Sequence, residues 1–144
     1  ATLHFIAREY AAARPLLEDL LKHDPDSAEL HLLLGESWLE SKEPSKAVPY
    51  LEKAAGEDPK LLRARALLGR AYVEAGQAER AVPHLEAALE TDEDGSLHFQ
   101  LARAYRESGR ADQATRTLEA SQEIRRSNEA RQQSEKEEFA ITPP

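Results

Sequence analysis

One five-residue block recurs three times in the chain. It reads LGESW at Leu34–Trp38, LGRAY at Leu68–Tyr72 and LARAY at Leu101–Tyr105, so consecutive copies begin 34 and 33 residues apart. A fixed period of this length is typical of repeat proteins, in which each unit buries its apolar face by stacking on its neighbour. The chain is therefore predicted to be an array of similar units that serves as a binding scaffold.

A second block follows each copy of the first. It reads AVPYLE at Ala47–Glu52 and AVPHLE at Ala81–Glu86, with a looser third copy at Ala114–Glu119. Apolar residues recur at helical spacing within each unit, and helix breakers such as Ser41–Ser45 and Asp58–Pro59 separate the runs. Each unit is therefore predicted to contain two helices. The predicted pairs are 28–41 with a helix after residue 45, 61–74 with 78–90, and 96–107 with a helix from 111 onward.

The same period also extends towards the N-terminus. Counting one period back from Ala47 and Pro59 leads to Ala13 and Pro25, which predicts that the chain opens inside a fourth unit. The second helix of that unit is expected at about 9–23, and the end of its first helix at 1–6. Leu3, Phe5 and Ile6 would then form an exposed apolar edge.

At these positions the chain resembles tetratricopeptide (TPR) repeats, whose unit is a pair of antiparallel helices about 34 residues long. The family's small residue, which lets the two helices approach, is matched by Gly35, Gly69 and Ala102, and its aromatic by Trp38, Tyr72 and Tyr105. The turn glycine is matched by Gly76 and Gly109, but Lys42 takes its place in the first full unit. The resemblance covers roughly residues 1–122 and implies an all-α, right-handed superhelical array of antiparallel helix pairs.

The predicted organisation is three full repeats preceded by a truncated one. Residues 1–24 are the C-terminal part of the truncated repeat, 25–60, 61–94 and 95–122 are repeats, 123–138 are a polar extension, and 139–144 are a tail. The extension is interpreted either as the last second helix running on or as a polar capping helix. The apolar-tipped tail is expected to be disordered.

Composition excludes several classes of function. The net charge of −8 argues against a nucleic-acid partner, and the absence of Cys excludes disulfides, thiol catalysis and Cys-ligated metals. No run of 18 apolar residues indicates a membrane span, and no phosphate-binding loop, nucleophile motif or paired-histidine spacing indicates an enzyme, a cofactor or a metal. Because the chain lacks Met, we expect a fragment of a longer protein. Its compartment stays open: cytoplasmic, or exported if a signal precedes residue 1.

The resemblance implies that the first helices line a concave groove for a peptide. The candidate groove residues are Leu32, Glu36, Leu39, Arg63, Arg70, Val73, Phe99, Arg103 and Arg106. The four arginines suit a carboxylate ligand. The alternative is that Arg70 with Glu74, and Arg103 with Glu107, form i,i+4 pairs that stabilise their own helix by only ~0.2–0.5 kcal/mol.

The apolar candidates have two interpretations as well. Leu32, Leu39, Val73 and Phe99 either offer pockets to a peptide or pack between helices, and for Leu33 packing is expected. The lysine and asparagine clamp with which some TPR proteins bind chaperone C-termini is absent from the matching positions.

The sequence thus predicts a non-enzymatic scaffold that binds a protein or peptide segment in its groove. One alternative is self-association through the open ends of the array or through the tail, with Phe139 and Ile141 docking into a second copy. Another is that the array is the regulatory arm of a larger protein whose other domains lie upstream.

Overall fold

The computed structural model describes the backbone of residues 2–141 and the side chains of residues 9–139. This part of the chain is all-α and contains no strand. The helices are α1 (Thr2–His23), α2 (Ala28–Glu40), α3 (Pro44–Glu57), α4 (Leu62–Glu74), α5 (Ala78–Ala88), α6 (Ser96–Glu107) and α7 (Ala111–Ile141). A 3-10 turn at Leu89–Thr91 extends α5.

The helices form the predicted array of helix pairs. Within a unit, α2 packs against α3, α4 against α5, and α6 against α7, while α3 contacts α4 and α5 contacts α6 between units. Helix α1 packs against α2 and takes the place of a preceding second helix. The first helices α2, α4 and α6 contact one another more extensively than the second helices do, which places the first helices on the inner side of the array.

Two glycines let the helices of a unit approach closely. A Cβ atom added at Gly35 would lie 2.5 Å from Leu51 Cγ, and one added at Gly69 would lie 2.5 Å from Leu85 Cγ. Both leucines are fully buried. The leucine of the second helix therefore fills the space that a side chain on the first helix would need.

The turn inside each unit has the same backbone geometry even where its glycine is missing. Gly76 and Gly109 both adopt φ of 80°, and Lys42 adopts 63° at the equivalent place. A left-handed conformation is costly for a residue with a Cβ atom. The packing of α2 against α3 thus imposes the turn on Lys42, which explains why this departure from the repeat pattern does not change the fold.

Aromatic residues of the first helices connect consecutive units. The Tyr72 hydroxyl donates a hydrogen bond to Glu52 of the preceding unit, and the Tyr105 hydroxyl donates to Glu86 Oε1 at 2.6 Å. Burial, followed by the bond to the carboxylate, raises the pKa of Tyr72 and raises the pKa of Tyr105 to about 12. Tyr105 therefore stays neutral and keeps donating well above pH 10.

The equivalent residue of the first full unit is held differently. The Trp38 ring contacts two cations, with the Arg14 guanidinium carbon 3.8 Å and the Lys46 ammonium nitrogen 4.8 Å from its centroid. Its indole N–H is buried and has no hydrogen-bond acceptor in the described part of the chain.

The prediction of a helix break near residues 7–8 is wrong. Helix α1 runs without interruption over Thr2–His23 and accommodates Pro15 inside it. The segment between the two predicted pieces contains neither glycine nor proline, whereas the real turns contain Pro44, Gly76 or Gly109. The predicted apolar edge of Leu3, Phe5 and Ile6 lies outside the described side chains.

Of the two interpretations of the polar extension, the continuing helix is correct. Helix α7 runs over Ala111–Ile141 and contains no glycine or proline that would end it, so a separate capping helix at 123–138 is wrong. The part of the helix up to Asn128 is fixed to the array, because Ser121 Oγ donates to Gly95 O at 2.8 Å and Asn128 Nδ2 donates to Glu93 O at 2.8 Å. The helix also includes residues 139–141 of the predicted disordered tail, and the last three residues lie outside the description.

Gly69→Ala is expected to destabilise the array by about 1–3 kcal/mol, because the added methyl group overpacks the contact with Leu85. Gly56→Ala is the matched control. It lies in helix α3 with no atom within 4 Å of an added Cβ, and it should stabilise the array by about 0.5–1 kcal/mol. Equilibrium urea unfolding followed by circular dichroism measures both effects. Equal midpoints for the two variants would contradict the packing argument.

The stability of the array is expected to fall as the pH rises from about 10 to 12. Tyr105 has a pKa of about 12 in the folded chain against 10.0 for a free tyrosine, so the unfolded chain loses this proton first. The Tyr72→Phe/Tyr105→Phe variant should show a shallower fall in thermal unfolding temperature over this range. A double variant as pH-sensitive as the original would contradict the assignment.

Candidate interaction surface on the first helices

One stripe of each first helix is at least partly exposed on the inner side of the array. We call this surface the first-helix face. It consists of Glu29, Leu33, Glu36 and Glu40 of α2, Arg63, Leu67, Arg70 and Glu74 of α4, and Ser96, Gln100, Arg103 and Glu107 of α6. Residues at this spacing share one side of a helix. Because α4 contacts both α2 and α6, the three stripes form one continuous surface.

Ion pairs connect the charged residues of this face across units. Arg63 Nη2 lies 2.9 Å from both carboxylate oxygens of Glu36. Arg70 reaches Glu40 of the preceding unit at 3.6 Å and Glu74 of its own helix at 3.2 Å. The predicted i,i+4 pair of Arg70 and Glu74 is therefore confirmed, and a contact between units accompanies it.

The last unit has only the contact within its own helix. Arg103 Nε donates to Glu107 Oε1 at 3.1 Å, which confirms the second predicted i,i+4 pair. Both side chains are more than a third exposed, so this pair contributes little to stability.

Glu36 is the centre of the best-connected group on the face. It accepts a hydrogen bond from the Tyr10 hydroxyl of α1 at 2.8 Å in addition to those from Arg63. The bond to this carboxylate is the main cause that raises the pKa of Tyr10 and the pKa of Arg63. One carboxylate thus joins α1, α2 and α4 and keeps both of its donors protonated.

Three of the predicted groove residues belong to the core instead. Leu32, Leu39 and Val73 are buried and pack in one apolar cluster with Ala64 and other core residues. Neighbouring positions on a helix point about 100° apart. The stripe that carries Leu32 and Leu39 therefore faces the core, and the prediction that these three side chains offer pockets is wrong.

Leu33, the neighbour of Leu32, is exposed where packing between helices is predicted. Its side chain is 39% exposed, whereas that of Leu32 is 6% exposed. With the half-buried Leu67 of α4, Leu33 supplies the apolar part of the first-helix face.

The remaining candidates lie at the end of the array. Phe99 is 46% exposed and borders a cleft of 220 Å³ between α6 and α7, which we call the end cleft. Its other main lining residues are Ala102, Arg103, Arg106, Ala114 and Leu118. The structure therefore divides the predicted site into two surfaces, with Glu36, Arg63 and Arg70 on one, Phe99 and Arg106 on the other, and Arg103 where they meet.

Sequence reasoning missed Tyr10 and every ion pair between units. The pair of Glu36 and Arg63 spans 27 residues, which is neither the repeat period nor a helical spacing. Opposite charges 27 residues apart, about seven residues less than one period, are the sequence signal that marks this pair.

The described residues contain neither a group of potential metal ligands nor a candidate membrane span. Within them, no three His, Asp or Glu side chains are grouped as a metal would require. None of their helices combines the length and the apolar character of a membrane span.

Comparisons with known proteins agree with this architecture. One model of the tetratricopeptide repeat matches residues 1–61, and a second matches residues 39–98 and 75–134. A search of curated protein sequences found no match.

Among solved structures, the chain is similar to several of MamA. The MamA RS-1 ArsTM double mutant has a TM-score of 0.74 at 26% identity over 83% of this chain and 68% of that one. MamA AMB-1 has a TM-score of 0.70 at 27% identity over 78% of this chain and 68% of that one. A further MamA crystal structure, with a TM-score of 0.73 at 24% identity over 80% and 68% of the two chains, shares the fold. The chain thus spans about two thirds of the length of these relatives. With the family models matching most of its residues, the chain belongs to the tetratricopeptide repeat family of protein-interaction scaffolds.

Proposed function

We propose that the first-helix face binds an extended or helical segment of another protein. The observation that carries this proposal is Leu33, a large aliphatic side chain 39% exposed in the middle of a charged surface. Leu67 continues the apolar patch onto α4, and the pair of Glu36 and Arg63 flanks it. An apolar centre with a polar border is the usual organisation of a protein-binding surface.

The charged residues contribute mainly to specificity. Arg63 and Arg70 already have carboxylate partners, so a ligand carboxylate would have to compete with Glu36 and Glu40. Affinity therefore comes from covering Leu33 and Leu67, and the ion pairs select which polar groups a ligand may carry. Because these pairs fix the side chains before binding, little side-chain entropy is lost when a ligand arrives.

Arg103 differs from the other arginines of the face. Its only described partner is Glu107 on the same helix, and its side chain is 40% exposed. Among the arginines first assigned to the groove, Arg103 is the one on this face best placed to accept a ligand carboxylate, at the α6 end of the bound segment.

Leu33→Glu is expected to weaken ligand binding at least tenfold. A leucine contact contributes ~1.5–3 kcal/mol, and about 1.4 kcal/mol corresponds to a factor of ten. The probes are peptides of about twelve residues selected against the unmodified protein by phage display, with dissociation constants measured by fluorescence anisotropy. Leu16→Glu is the matched control, since Leu16 is an exposed leucine on α1, a helix that contributes none of the residues of this face.

The control should bind the selected peptides as tightly as the unmodified protein does. Equal weakening by Leu33→Glu and Leu16→Glu, or peptides that bind Leu33→Glu without loss, would remove Leu33 from the site.

A second function, self-association, is favoured by the apolar surface of α1. Leu16 is 63% and Leu20 is 47% exposed, whereas Ala54 and Ala88, which correspond to Leu20 in the repeat register, are fully buried. No helix of the described residues covers Leu20, so a second copy of the chain is a suitable partner. Phe139, which is 85% exposed near the end of α7, offers another apolar contact.

Multi-angle light scattering tests this second function. A mass above that of the monomer is expected, and it should fall to the monomer mass in Leu16→Glu/Leu20→Glu. A chain without residues 135–144 separates the contribution of the α7 end. A monomer mass for the unmodified protein at high concentration rejects the hypothesis.

A further inference from the structure

The end cleft is a modified copy of a surface that receives a helix everywhere else in the array. Helix α4 packs against α2 and α3, and α6 packs against α4 and α5. Leu51 and Leu85, the leucines of the inner second helices, are fully buried, but their equivalent Leu118 is only half-buried and lines the cleft. Phe99 is likewise 46% exposed where its equivalent Leu32 is covered. The floor of the end cleft is apolar, as in the inner units, and no described helix occupies it.

The border of the end cleft is polar, whereas the equivalent surfaces of the inner units have an apolar border. Arg106 stands where the inner units have the buried residues Leu39 and Val73, and Thr115 stands where they have an apolar residue such as Val82. A further unit of the ordinary kind would bury the Arg106 guanidinium without a partner, which is strongly unfavourable. The cleft therefore disfavours a standard repeat as its occupant and requires one that brings an anionic group.

The charges around the end cleft also favour an occupant that carries an anionic group. The Arg106 guanidinium makes no hydrogen bond or ion pair with any described residue, and Arg103 has only Glu107. At the position of Arg103 the first unit carries Glu36, which pairs with Arg63 at the start of the next helix. The second unit also has an arginine at this position, but two carboxylates pair with it, one of them across the unit boundary. Arg103 has no partner across a boundary, so an incoming helix would complete its pairing by bringing a carboxylate to the place where α4 has Arg63.

We propose that the end cleft binds an amphipathic helix of a partner protein, with apolar residues against Phe99 and Leu118 and a carboxylate near its N-terminus against Arg103. A partner helix of about three turns fits the end cleft, because the equivalent surfaces of the inner units hold α4 and α6, which have 13 and 12 residues. A second carboxylate on the partner helix could form an ion pair with Arg106. This surface is separate from Leu33 and Leu67, so the inference goes beyond the function proposed above.

The chain itself supplies a matched pair of probes. One is a synthetic peptide of residues 61–74, the helix that fills the slot between α2 and α3, and we call it the native peptide. The other, the substituted peptide, is the same segment with Arg63→Glu. Arg and Glu have similar helix propensities, so the cost of ordering the peptide is nearly the same for both. Binding is followed by ¹⁵N chemical-shift changes in the full 144-residue chain, a method that detects weak complexes.

The substituted peptide is expected to bind the unmodified protein about fivefold more tightly than the native peptide, as one exposed ion pair allows. Shifts should concentrate on the α6 and α7 residues that line the cleft. In Arg103→Glu the preference between the peptides should reverse. Arg116→Glu, the same charge change on an exposed side of α7 outside the cleft, should leave the preference unaltered, and so should Leu33→Glu.

Several outcomes would overturn the proposal. These are no shifts in α6 and α7 with either peptide up to the solubility limit, an equal affinity for the two peptides, or shifts confined to the first-helix face. A protein dimer that Arg103→Glu dissociates would also overturn it, because the occupant would then be a second copy of the chain. Since binding at the cleft should survive Leu33→Glu, failure here is distinguishable from failure of the first-helix face.

Discussion

The close contact between a glycine of the first helix and a leucine of the following second helix, present in the first two full units, is the constraint on which the array depends. Gly35 with Leu51, and Gly69 with Leu85, set the spacing within a pair. That spacing determines where the next first helix can pack, and so it propagates along the chain. It also explains why Lys42 accepts a left-handed conformation, because the contact between α2 and α3 holds the turn from both sides.

The repeat itself carries little information about ligands, because the residues that recur are those that pack. Information lies at equivalent positions occupied by different residues. Glu36, Arg70 and Arg103 share one position, and the first two are neutralised across unit boundaries while the third pairs only within its own helix. The array is therefore charge-balanced inside and basic at the border of its last unit, although the chain as a whole has a net charge of −8.

The period was sufficient to predict the helix pairs, because small residues, aromatics and turn residues each recur for a packing reason. It was not sufficient to predict how far each helix is rotated about its axis, and a rotation of one residue exchanges Leu32 with Leu33 between core and surface. Counting backwards also assumed a turn before α1 where no helix breaker stands. Contacts between units, such as that of Tyr10 with Glu36, depend on side-chain reach, which periodicity does not encode.

Arg103 connects the two proposed surfaces, because it lies on the exposed stripe of α6 and also borders the end cleft. Its guanidinium can face only one ligand carboxylate fully at a time, since Glu107 already occupies one of its donors. Two ligands that both depend on Arg103 would therefore bind with negative coupling, and by linkage each would weaken the other by the same factor. Ligands that depend on Leu33 and on Phe99 alone would bind independently, so the coupling between the surfaces depends on the charges that the ligands carry.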